Sequence, residues 1–146
     1  MTRRQYKTGT KWCLWRWSGA DSGFISRLHI LQTPFFAICL HIFHKPDPEP
    51  WLHDHPVSFL SFILRGSYVE RRYRKGQTRQ RLVRWVNWIK GSPEDRHTIT
   101  SCVPDTVSIA FMGPKTREWG YHTDKGWVYW RDYTHEKYRG DDLDAE

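Results

Sequence analysis

A chain of 146 residues is the size of one ordinary domain, long enough to bury a core without disulfide or metal staples. Lys and Arg outnumber Asp and Glu by 23 to 16, and the resulting charge of +7 favours polyanions without fixing a fold. No window approaches a membrane-spanning length of apolar residues, and Cys13, Cys39 and Cys102 are odd in number with no CxxC pair, which argues against a disulfide framework.

In chain order, the opening "MTRRQYKTGTKW" is polar and basic with no apolar segment behind it. A cytoplasmic protein in a reducing compartment is therefore expected. "GADSGFISRLHIL" predicts a short helix capped by Asp21 or Ser22. From there, short runs rich in Val, Ile, Phe, Tyr, Trp and Thr alternate with turn signals: "FFAICLHIF", "KPDPEP", "VSFLSFIL", "RG", "SYVERRY", "KG", "RLVRWVNWI", "GSPED", "HTITSC", "VPD", "TVSIAFM", "DKG" and "GWVYWRDY". Runs of that length and punctuation predict strands, and their regular spacing predicts an all-β antiparallel sandwich or small barrel. No linker divides residues 1–139, while the acidic segment 140–146 reads as a flexible tail.

Eight histidines are scattered along the chain, and two of them, His53 and His55, sit two residues apart before "PVSFLSFILRG". In extended backbone their rings project to one face and Asp54 points away, so both can reach one metal. A third ligand has to come from another strand, and His97, at the start of "HTITSC", is the candidate. His41 is a spare, sharing a strand face with Cys39 in "CLHIF". Three neutral imidazoles suit Fe(II), Zn(II), Cu(II) or Ni(II), and poorly suit Mg or Ca.

"HDHPVSFLSFILRGSYVE" resembles the first motif of the cupin superfamily, an HxH at a strand start followed by apolar residues and a glycine turn. "SPEDRH" resembles the second motif, a proline-containing turn before a single histidine. "REWGYHTDKGWVYWRDY" is similar to segments of small, uncharacterised single-domain cupin-like proteins of bacteria and phages. The resemblance implies a jelly-roll barrel from about Phe35 to Tyr133, with a divalent metal on His53, His55 and His97. One departure stands out: the glutamate ligand that cupins place four or five residues after the HxH is replaced by Phe59, between Ser58 and Leu60. A three-histidine site resembles that of thiol dioxygenases, which implies Fe(II) as the first choice of metal, ahead of Zn(II) or Ni(II), and an oxygenase acting on a small-molecule or nucleotide-like substrate. Glu70 and Glu118 are remote carboxylates that could complete the set, and Asp54 is a less economical one.

Around such a site Tyr68, Trp85, Trp88, Trp119, Tyr121 and Trp127 are candidate pocket walls. Tyr68 and Tyr121 are candidate catalytic residues, since a metal-independent isomerase or epimerase would need a His/Tyr acid–base pair such as His97 with either phenol. Arg96 falls on the strand face opposite His97, and Arg65 and Arg117 read as exposed. "RRYRKGQTRQRLVRW" carries seven basic residues and no acid, and predicts a hairpin turning at Lys75–Gly76. Arg71, Arg72, Arg74 and Lys75 could contact an anionic ligand or nucleic acid, or could simply guard a sheet edge. A non-catalytic binding barrel is therefore the alternative to an enzyme, and a homodimer is a further expectation.

Overall fold

The structure, a computed structural model, describes residues 12–18 and 23–133. Twelve strands form two six-stranded sheets: β1 (Cys13–Ser18), β2 (Ile25–Gln32), β3 (Ala37–Phe43), β4 (Leu52–His53), β5 (Phe59–Arg65), β6 (Tyr68–Arg74), β7 (Gln77–Val83), β8 (Val86–Ile89), β9 (Asp95–Cys102), β10 (Thr106–Met112), β11 (Gly120–Thr123) and β12 (Gly126–Tyr129). The first sheet runs β1-β2-β3-β10-β5-β8 and the second β12-β11-β4-β9-β6-β7, with every pairing antiparallel. From β3 to β11 the chain passes repeatedly between the sheets, as in a jelly roll.

Alternation of side chains dictates these strands. In "FLSFILR", Phe59, Ser61 and Ile63 are buried while Phe62 and Leu64 are exposed; in "TVSIAFM", Thr106, Ser108 and Ala110 are buried. The buried set meets between the sheets in two clusters. Ile63, Tyr68, Val83 and Ile99 form one, and Phe59, Ile89 and Ala110 the other. Each fully buried Ile or Phe contributes about 1.5–3 kcal/mol relative to exposure.

Two turns need left-handed backbone. Lys75 and Gly76 have φ of 51° and 77°, both positive as a two-residue type I′ hairpin requires. Gly66, at φ 79°, carries the chain from one sheet to the other, and a Cβ there would lie 2.3 Å from Thr106 Oγ1.

The mainly β expectation agrees with the fold, and three elements differ from it. The helix expected near residue 24 is strand β2 over Ile25–Gln32, because β1 and β3 offer pairing on both sides; Asp21 and Ser22 lie outside the described residues, as does the 140–146 tail. "RLVRWVNWI" is two strands, not one: β7 ends at Val83, and β8 begins at Val86 in the other sheet. "GWVYWRDY" is strand only to Tyr129, and residues 130–133 form a helical turn.

Candidate metal centre

Strand pairing brings the histidines together. In β4 and β9, His53 and His97 are direct cross-strand partners, so their side chains share the inner face. His55 follows β4 two residues on and turns the same way. The three rings are mutual neighbours, with centroids 5.0 Å (His53–His55), 4.9 Å (His53–His97) and 4.9 Å (His55–His97) apart. One nitrogen from each lies within 4.8 Å of the others. Imidazole nitrogens on a common metal sit about 3 Å apart, given metal–N bonds near 2.1 Å, so modest ring rotations would close the set. Among the described residues this is the only group of three or more potential ligands that converges in this way.

The electrostatics agree with the donor set. His97 Nδ1 lies 2.6 Å from Glu70 Oε2. Burial alone would raise the Glu70 pKa, but the His97 hydrogen bond and the charges of His97, Arg72 and Arg81 outweigh it and hold the carboxyl at about 2. An ionised carboxylate only accepts, so His97 must donate from Nδ1, and Nε2 is the ring atom left to serve as a ligand, as is usual for a histidine whose other nitrogen is held by a carboxylate. Burial, with the proximity of His97, depresses His53 to about 4 and keeps it neutral. His55 is pushed well down for the same first reason, and its Nδ1 is buried with no hydrogen-bond partner. Such an atom costs free energy until something binds it, and a metal ion would. The residues present fit a divalent transition metal.

Glu70 is in turn held by buried polar groups. Arg81 Nε lies 2.9 Å from Oε1, and Asn87 Nδ2 donates to Oε2 at 3.2 Å. Arg72 sits 3.6 Å from Glu70 and forks onto Asp95, with Nε to Oδ1 at 2.8 Å and Nη2 to Oδ2 at 2.7 Å. Asp54 does the equivalent for the HxH segment from the far side. Fully buried, it accepts from Gly120 N (2.9 Å) and Trp127 Nε1 (2.9 Å) and pairs with His122 (2.8 Å) and Arg117 (3.0 Å). Burial opposes its ionisation, but the Arg117, His122 and Gly120 bonds more than compensate and hold its pKa below the usual range. Asp54 thus points away from the histidines and clamps them to β11 and β12.

The trio opens on a cavity of about 160 Å³ between the sheets. Tyr68, Trp119 and Tyr121 wall it as expected. Trp85 and Trp88 do not; Trp85, 76% exposed, lies in the crossing between the sheets, and Trp88, 49% exposed, is on the outer face of β8 between buried Asn87 and Ile89. Trp127 is occupied with Asp54. Phe59 lines the cavity with its ring 5.1 Å from His55, so the position of the usual cupin glutamate faces the site but brings a phenyl group. Glu118 is paired with Lys115 instead, and Glu70 supports a histidine and does not join the trio. His41 faces the cavity from β3 in the opposite sheet, outside the converging group, and burial first, then Arg27 and His29, depress it to about 3.

Tyr68 and Tyr121 both reach the cavity, but their phenols are poor acids there. Burial pushes Tyr121 up to about 12 and Tyr68 higher still, where Asn87 donates to the Tyr68 hydroxyl at 2.7 Å. In the basic hairpin, Arg71, Arg74 and Lys75 are exposed, whereas Arg72 is buried in its fork on Asp95 and is not a surface anion contact. Arg117 is likewise engaged, with Asp54, contrary to the exposed role expected of it. Arg96 faces away from His97, as expected, with its guanidinium 3.8 Å over the Tyr73 ring. Cys39 is buried and its thiol is raised to about 11 by desolvation, consistent with an inert core residue.

One cavity residue went unremarked in the sequence. Arg27 lies opposite His41 on the inner face of the first sheet and lines the cavity. Burial is the main influence on it and lowers its pKa, against the attraction of Cys39 and Asp47. The available signal was the i, i+2 spacing of Ile25, Arg27 and His29, masked by the helical reading of that stretch.

No family model and no curated protein matches the sequence. Solved structures do match in fold. A hydroxypropylphosphonic acid epoxidase from S. wedmorenis in complex with fosfomycin superposes with a TM-score of 0.51 at 12% identity, over 66% of this chain and 54% of that one. The match thus spans about half the length of the epoxidase. An RmlC-like cupin from Shewanella frigidimarina gives 0.50 at 13% identity, over 70% and 86% of the two chains. KdgF from Halomonas sp. gives 0.50 at 15% identity, over 71% and 94%. The fold is that of the cupin superfamily. On that fold this chain carries a three-histidine cluster able to hold a divalent metal.

Proposed function

We propose that the chain is a metal-dependent cupin enzyme, a non-haem oxygenase that uses His53, His55 and His97 to hold Fe(II) and acts on a small anionic molecule. The observation that carries this reading is the His97–Glu70 bond, which commits Nδ1 to a buried carboxylate and leaves Nε2 for the metal beside His53 and His55, which burial keeps neutral. When bound, the metal would supply Lewis acidity, redox chemistry and free coordination positions. The protein's own part is to hold three imidazole donors in place, to exclude water with Trp119, Tyr121 and Phe59, and to orient the substrate. Arg27, withdrawn from bulk water into the same cavity, is suited to a carboxylate or phosphate on that substrate.

An acid–base isomerase is less well supported, since both candidate phenols are raised by burial and would be reluctant to ionise. A nucleic-acid-binding role for the hairpin is weakened by the internal pairing of Arg72 and Arg81.

The test is metal content by mass spectrometry on untagged protein beside a His53→Ala/His55→Ala double variant. About one iron per chain in the parent, absent from the variant, is the expected result. No metal in either protein after anaerobic Fe(II) loading would overturn the metalloenzyme reading and leave a binding barrel.

A further inference from the structure

The outer face of the first sheet is apolar from edge to edge. Register traces one unbroken row across all six strands, Trp17–Leu28–Leu40–Ile109–Phe62–Val86. A second row, two residues along in four strands and three along in β1 and β2, where the register shifts past His29, reads Leu14–Leu31–Ile38–Phe111–Leu60–Trp88. Neither row contains a polar or charged side chain, in a chain with 23 Lys and Arg. These residues face outward, since their strand neighbours Cys39, Ser61, Asn87 and Ala110 are buried between the sheets. Leu64 at 61%, Trp88 at 49%, Phe111 at 45% and Phe62 at 40% exposure leave much of the face open to water. Contiguous apolar surface of this kind marks an interaction site rather than ordinary scatter.

We propose that a second copy of this chain covers this face, the two first sheets packing against each other about a two-fold axis. Six strands spaced about 4.8 Å apart and some seven residues long give a face of roughly 700 Å². A stable interface buries about 800 Å² per partner, so the face is large enough to form most of one. Two uncharged apolar rows are also complementary to themselves, which an isologous contact requires, and sheets pack readily face to face. The chain's own remaining segments are poor covers: "MTRRQYKTGTK" and "THEKYRGDDLDAE" are dominated by charged and polar residues. Nucleic acid or an acidic peptide would gain little from these two rows, since the nearest basic group on the face, Arg65, lies beyond them in the row of Val107. This proposal does not depend on the metal reading, because the rows lie on the opposite side of the sheet from the cavity.

Sedimentation equilibrium of the full chain tests it. The expected mass at tens of micromolar is about twice 17.6 kDa. A Phe62→Lys/Phe111→Lys variant should keep the parent circular dichroism spectrum and sediment as a monomer, its dimer dissociation constant raised at least about 100-fold. Should that variant fail to fold, hydroxyl-radical footprinting of the parent gives the same answer, with Trp88 and Phe111 protected at high and not at low concentration. A parent that is monomeric throughout, a dimer unaffected by the folded variant, or absence of concentration-dependent protection would each overturn the proposal. A monomer that floats with neutral phospholipid vesicles would also overturn it, in favour of a membrane surface.

Discussion

The two sheets of this sandwich divide polar and apolar work in opposite ways. Across the second sheet, the inward row Tyr121–His53–His97–Arg72 is polar and is supported by buried Glu70, Asp95 and Asn87. Its other face, with Arg71, Tyr73 and Arg96, is polar as well. The first sheet turns small or apolar groups such as Cys39, Ala110 and Ile89 inward beside Arg27 and His41, and its outer rows are wholly apolar. A single domain needs only one buried face per sheet. The first sheet therefore has an apolar face to spare, while the second spends its burial on charge. Buried charge is costly unless every partner is present, so the second sheet specifies a site and the first supplies surface for packing.

The comparison breaks most readily at Asp54. Replacing it by Ala strips Arg117, His122 and Trp127 of their shared acceptor at a fully buried position, and should destabilise the fold by about 3–5 kcal/mol in urea unfolding. A loss under 1 kcal/mol would mean that the clamp on the HxH segment is dispensable.

Glu70→Gln sharpens the role of the inner wall. The amide removes the charge that fixes the His97 tautomer, so metal affinity should fall about 10–100-fold in a competition titration with a chelator. If Glu70 served packing alone, affinity per folded molecule would stay at the parent value. The smallest effect is expected on the outer face of the second sheet, where Tyr73→Ala removes the ring under the Arg96 guanidinium. There about 0.5–1 kcal/mol of stability should be lost, with metal loading unchanged.

Much of this was legible in the residues themselves. The alternation in "FLSFILR" and "TVSIAFM", the glycine turns, and the HxH spacing are local signals, because strand side chains repeat every two residues and turns demand particular backbone angles. They predict an all-β sandwich, a hairpin at Lys75–Gly76, and two imidazoles on one face with Asp54 turned away. What remained hidden depends on which strand lies beside which. β2 reads as a helix until β1 and β3 flank it, and only the β4–β9 pairing sets His53 opposite His97. Glu70 is a candidate ligand in the sequence and a partner of His97 in the fold; Arg27 enters the cavity because it lies opposite His41. Sequence determined the period and the punctuation, which act over a few residues. Tertiary structure decided the neighbours, because hydrogen-bond registers between strands distant in the chain place each side chain in the cavity, in the core or on the open face.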